Sequence, residues 1–175
     1  MRGEAISSGT WSAGNGGHQA SRALYTPEER IRRDSTRWTL VQGLLAPFQF
    51  FVFLGSLALV IHSLLTHQGA MAADLSVVAK TLTLYTIMIT GSIWEKVVFG
   101  RWLFAPAFFW EDVVSMLVLA LHTTYLIMLF GELGSFEQRM QVALAGYAAY
   151  VINAAQFLLK LRAARLDAAR QGALA

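Results

Sequence analysis

TLVQGLLAPFQFFVFLGSLALVIHSLLT, running from Thr39 to Thr66, holds no Asp, Glu, Lys or Arg in 28 residues. A helix rises about 1.5 Å per residue, and about 20 apolar residues are enough to cross the hydrocarbon core of a bilayer. The stretch is a membrane span, and the remainder of the chain must be read as its surroundings. Pro47, in its first half, is expected to kink the helix and free backbone carbonyls near Gln42 and Gln49.

Composition places the whole chain in the same class. Of 175 residues, 55% are hydrophobic and only 14% charged, far more apolar than a soluble domain of this length. Three further apolar blocks follow, at about 75–98, 113–130 and 140–159. The expected fold is therefore an all-α integral membrane protein with four transmembrane helices occupying residues 25–166, between tails at 1–24 and 167–175. The first tail is rich in Gly, Ser and Ala and lacks the apolar core of a signal peptide, so it reads as disordered. No cysteine is present, which removes disulfides, thiolate metal sites and cysteine nucleophiles. A net charge of +3, with basic residues flanking the apolar blocks, gives no support to a nucleic-acid partner.

Local signals punctuate the spans. Thr26, Pro27 and Glu29 form a capping box with Pro at the first helical position, opening an interfacial helix that carries Arg30, Arg32, Arg33 and Arg37 towards Trp38. Asp74 is the expected cap of the second span, and Ser135 with Gln138 makes a second capping box before the fourth. Four spans put both termini and the central link on one side. That side carries ten of the Lys and Arg residues between Tyr25 and Ala175, against Lys80 and Arg139 opposite, so both termini are expected in the cytoplasm, with membrane lipid as a partner.

The central link, WEKVVFGRWLFAPAFFWED from Trp94 to Asp112, is richer than a turn at a membrane surface requires. It holds three carboxylates (Glu95, Glu111, Asp112), two cations (Lys96, Arg101), three tryptophans and four phenylalanines. The plain reading pairs Glu95 with Lys96 or Arg101 and leaves Glu111 and Asp112 to favour a helix N-terminus. That accounts for one acid better than for three. A carboxyl drawn partly out of water is suited to holding and donating a proton, so the link reads as the lip of an active site. Trp94, Phe109 and Trp110 abut these acids, as the walls of a slot for a flat conjugated ligand would. Ser115, Asn153 and Gln156 add polarity in the same leaflet, where the alternative is a hydrogen-bonded helix interface. His122 lies near mid-bilayer on the face of Glu111 and Ser115, either as an interhelical hydrogen-bonder or as a metal ligand.

Four runs carry a resemblance. RRDSTRWTLVQGLLAP (Arg32 to Pro47), GSIWEKVVFGRWLFAPAFFWEDVVSM (Gly91 to Met116), LALHTTYL (Leu119 to Leu126) and YVINAAQFLLKLRAARL (Tyr150 to Leu166) resemble the bacteriochlorophyllide vinyl hydratase family of phototrophic bacteria, over about Tyr25 to Leu166. The resemblance implies an enzyme of a bacterial cytoplasmic or intracytoplasmic membrane. It would add water to the ring-A vinyl group of a chlorophyllide-type tetrapyrrole, with no cofactor and with magnesium only as part of the substrate. No residue roles come with it.

The chemistry of the residues suggests Glu111 as general acid and Glu95 or Asp112 as the base for water. Lys96 or Arg101 is then expected to hold the substrate's propionate, and His122 to ligate its magnesium. Trp94, Phe109, Trp110, Asn153 and Gln156 complete the expected binding site. Two non-enzymatic alternatives use the same residues. A pigment-binding or assembly protein needs the slot but not paired acids, and a small transporter needs polarity in the opposite leaflet, which is sparse.

Overall fold

A computed structural model describes residues 24–172, and the tail expected at 1–24 lies almost entirely outside them. Five helices follow one another: α1 (Pro27–Ser35), α2 (Arg37–Thr66), α3 (Ala70–Phe99), α4 (Phe109–Phe130) and α5 (Phe136–Gly172). The last four are each long and apolar enough to cross a membrane. Large apolar side chains such as Phe51, Ile89, Leu117, Ile127 and Leu158 point outward, which suits lipid and not water. The chain is a multi-pass helical membrane protein.

The capping chemistry is as expected at two starts and different at two others. Thr26 and Glu29 close their box at α1, and Ser135 and Gln138 close theirs at α5. The basic segment, however, is not one helix running up to Trp38. Thr36 leaves helical geometry at φ −83° and ψ 138°, and its hydroxyl caps α2, so Arg37 already belongs to the first span. At α3 the helix begins four residues before Asp74, behind Gly69. Asp74 instead reaches sideways, accepting hydrogen bonds from the Tyr125 hydroxyl at 2.5 Å and from Arg139 at 3.4 Å. Pro47 does not break α2; the carbonyl it leaves without an amide partner is that of Gly43, on the wall of the cavity described below.

The four spans form two hairpins. Hydrogen bonds from Gln42 to Thr90 and between Ser56 and Ser76 climb α2 while descending α3, so these helices are antiparallel. In the same way, α4 and α5 meet at Ser115 with Asn153 and at His122 with Gly146. The hairpins join through a core around Phe53, Val77, Tyr125, Met140 and Tyr147 at the end away from α1. Here the Tyr147 hydroxyl shares a 2.6 Å hydrogen bond with Ser56. At the other end a second cluster around Tyr25, Val98 and Phe108 joins the hairpins on one side and a cavity separates them on the other; α1 lies across the opening, tied down where Arg32 donates to the Val98 carbonyl at 2.8 Å.

His122 occupies the α4–α5 seam. It is 1% exposed, and its Nδ1 donates to the Val118 carbonyl at 2.8 Å. A Cβ at Gly146 would lie 2.9 Å from its ring, closer than unbonded carbons approach. Gly146→Ala should therefore lower stability by about 1–3 kcal/mol. The double variant Gly146→Ala/His122→Ala should recover part of the loss, as read by thermal unfolding of the detergent-solubilised protein. Equal melting of Gly146→Ala and the parent protein would show that the ring yields freely.

Candidate active site

The gap between the hairpins is a cavity of about 910 Å³, bounded by all five helices. That is near the upper end of the roughly 300–1,000 Å³ typical of small-molecule sites. Gln49, Leu84 and Tyr150 form its deep end, Trp94 and Phe108 a wall, and Arg30, Arg33 and Arg165 its mouth. Trp94 is held by its Nε1, which donates to Thr39 at 2.9 Å, and by edge-on packing against Phe99 and Phe108. Tyr25 stacks on Phe99 just above, with the Arg33 guanidinium 4.7 Å over its ring. Burial pushes the Tyr25 phenol above its ordinary range, Arg33 partly opposing, so it remains a neutral donor at physiological pH.

Two carboxyl groups stand on the wall. Glu95, from the last turn of α3, and Asp112, from the first turn of α4, are 5% and 4% exposed. Each accepts one backbone amide: Ala105 donates to Glu95 at 3.2 Å, and Phe104 donates to Asp112 at 2.7 Å. The donors are consecutive residues. Phe104 adopts the left-handed conformation at φ 58°, which turns two successive N–H groups into a small anion-binding nest. Both side chains lie on the wall of the same cavity, held from one link by adjacent amides.

The third acid is elsewhere. Glu111 is buried but does not line the cavity; its Oε2 is 2.5 Å from the Lys160 ammonium. Lys160 also donates to the Ala107 carbonyl and sits 5.1 Å over the Phe108 ring. The expected general acid is thus an ion-paired link between α4 and α5, because the residue one position before Asp112 faces about 100° away around the helix. Lys160→Met should destabilise the protein by about 1–3 kcal/mol by stranding the Glu111 charge. Adding Glu111→Gln should restore most of that stability. A double variant no better than the single one would show that the pair does not act as a unit.

Of the other residues expected in the site, Asn153 joins Trp94 on the wall, donating to Ser115 at 2.7 Å while its Oδ1 has no partner among the described residues. Gln156 and His122 are packed away from the cavity, so His122 is not placed to ligate a metal carried by a ligand there. Lys96 and Arg101 are also off the wall; Lys96 caps its own helix at the Gly100 carbonyl. Phe109 and Trp110 are 44% and 68% exposed and point outward, in the manner of interfacial anchors. What the sequence did not mark as site residues are Tyr25, Tyr150 and the three arginines. The spacing of Arg30 and Arg33, one turn apart, was the available signal, but it reads equally well as a membrane-surface face.

An apolar cavity in a helical membrane protein, with two carboxyl groups in its wall and cations at its mouth, is the geometry of a membrane-embedded ligand site. The comparisons specify it further. Residues 25–163 match the family model described as 2-vinyl bacteriochlorophyllide hydratase, and the chain belongs to that family. It is similar to the 2-vinyl bacteriochlorophyllide hydratase of Cereibacter sphaeroides, with 64% identity over 83% of this chain and 91% of the relative. The protein of the same name from Rhodobacter capsulatus is 62% identical over 87% of this chain and 88% of the relative. No solved structure matches.

Proposed function

We infer that this chain carries out the reaction its family is named for, a hydro-lyase step of bacteriochlorophyll synthesis. Water is added across the ring-A vinyl group of a bacteriochlorophyllide-type tetrapyrrole, leaving a 1-hydroxyethyl group. The observation that carries the assignment to residues is the Glu95–Asp112 pair, buried in the wall of a cavity large enough for a flat macrocycle.

Hydration needs a proton on the terminal vinyl carbon, a stabilised cation at the inner carbon, and water delivered to that cation. The conjugated macrocycle spreads the charge. One carboxyl of the pair donates the proton, and the vinyl π electrons form the new C–H bond. Water then forms the C–O bond and releases its surplus proton to the other carboxyl. The pair ends with the same proton count it began with, and the proton passes back to the donor carboxyl before the next turnover. The amides of Phe104 and Ala105 stabilise whichever carboxyl is ionised. These steps call for no resident cofactor; magnesium belongs to the substrate.

Glu95→Gln and Asp112→Asn should each keep pigment binding while slowing hydration by about 100-fold or more. Glu111→Gln should slow it far less. The readout is product one water heavier than a vinyl chlorophyllide supplied to membranes containing the protein. Near wild-type rates in both folded, pigment-binding variants would remove the pair from the mechanism.

The basic residues at the α1 end support a reading in which that end, with both termini, faces the cytoplasm of a bacterial inner or intracytoplasmic membrane, with α1 at the lipid headgroups. A C-terminal fusion to a reporter active only in the periplasm should be silent. Strong reporter activity would invert the topology and expose the cavity mouth to the other compartment.

A further inference from the structure

The mouth of the cavity carries charge opposite to that of its interior. Arg30 and Arg33 project from one turn of α1, and Arg165 comes from α5. Among the described residues only Arg33 has an acidic partner, Asp34 at 2.7 Å. Three guanidinium groups thus face one carboxylate at the rim, while Glu95 and Asp112 stand without a cation deeper in the same cavity. A ligand bearing one carboxylate and a large apolar plane has a single favourable way in: the plane goes to the apolar depth and the carboxylate stays at the rim, away from the two acids.

We propose that Arg30, Arg33 and Arg165 form a receiving site for the free propionate of the pigment, making this protein selective for the free-acid form over its ester. This rests on the hydratase reading for the identity of the pigment. Guanidinium groups suit the task because their paired N–H donors match a carboxylate, and here three from two helices line one cavity. Arg33 is already ordered by Asp34 and the Tyr25 ring, so little freedom is lost when it binds. The two cations nearer the acids in sequence do not compete: the Lys96 ammonium is engaged at Gly100, and Arg101 is off the wall. In a chlorophyllide the propionate hangs from ring D, next to ring A. Anchoring it at the rim therefore restricts where along the cavity wall the ring-A vinyl group can lie.

The test uses a pigment with ethyl in place of the ring-A vinyl group, so that binding is read without turnover. Its free acid and its methyl ester are titrated by fluorescence against detergent-solubilised wild type and the Arg30→Gln/Arg165→Gln variant, which spares the packed Arg33. Wild type should favour the acid by about 10-fold or more. The variant should bring that preference to about twofold while binding the ester as wild type does, showing that the cavity is intact. Equal binding of acid and ester by wild type overturns the proposal, and so does a variant that weakens both alike or neither. A parallel assay with vinyl pigment separates the readings. Acid preference without hydration leaves the receiving site standing and removes the hydratase assignment; hydration without acid preference does the reverse.

Discussion

Two buried carboxyl groups from different hairpins share one cavity wall in an apolar membrane protein, and the rest of the site depends on how they are made tolerable. A carboxylate without partners is among the most costly groups to remove from water. Glu95 and Asp112 are supported by two successive amides of the link between α3 and α4, each bond being of the charge-assisted kind. The left-handed conformation at Phe104 costs about 1–2 kcal/mol in a residue with a side chain. It is held there because the same turn satisfies both acids. The link is thus a structural member: it fixes the separation of the two hairpins at their open end and so the width of the cavity.

Which parts of this were legible in the sequence follows from the range of the forces involved. The spans were plain because the absence of charge over 28 residues from Thr39 is a property of the local chain. The Thr26 and Ser135 caps were plain because their partners lie three residues away. The importance of the Trp94–Asp112 link could be read from its excess of acids. Which acid faces the cavity could not. Glu111 and Asp112 are adjacent in sequence and opposite in environment, and the partner that separates them, Lys160, is 49 residues further on. The nest was invisible for another reason: its donors are backbone amides, and Phe104 shows no residue-type preference for a left-handed turn.

The basic residues illustrate a signal with two meanings. Counting Lys and Arg gives an orientation whatever the individual side chains do, because the rule concerns charge near the bilayer surface. The structure distributes that charge unevenly among tasks. Arg32 fastens α1 to the end of α3, Lys160 neutralises Glu111, Lys96 finishes its own helix, and three arginines surround the cavity mouth. His122, the other residue that chemistry singled out, packs against a glycine that leaves room for its ring.

The division into two hairpins has a thermodynamic side. Their largest shared core lies at one end, and at the other a smaller cluster joins them beside the cavity that a flat pigment would enter. Such a ligand substitutes for missing protein core, and the free energy of closing the bundle includes its binding. Apparent stability then becomes a function of pigment supply, rising by about 2.7 kcal/mol when free ligand reaches a hundredfold excess over Kd. The cavity thereby makes the bundle's cohesion and its occupancy two readings of one equilibrium.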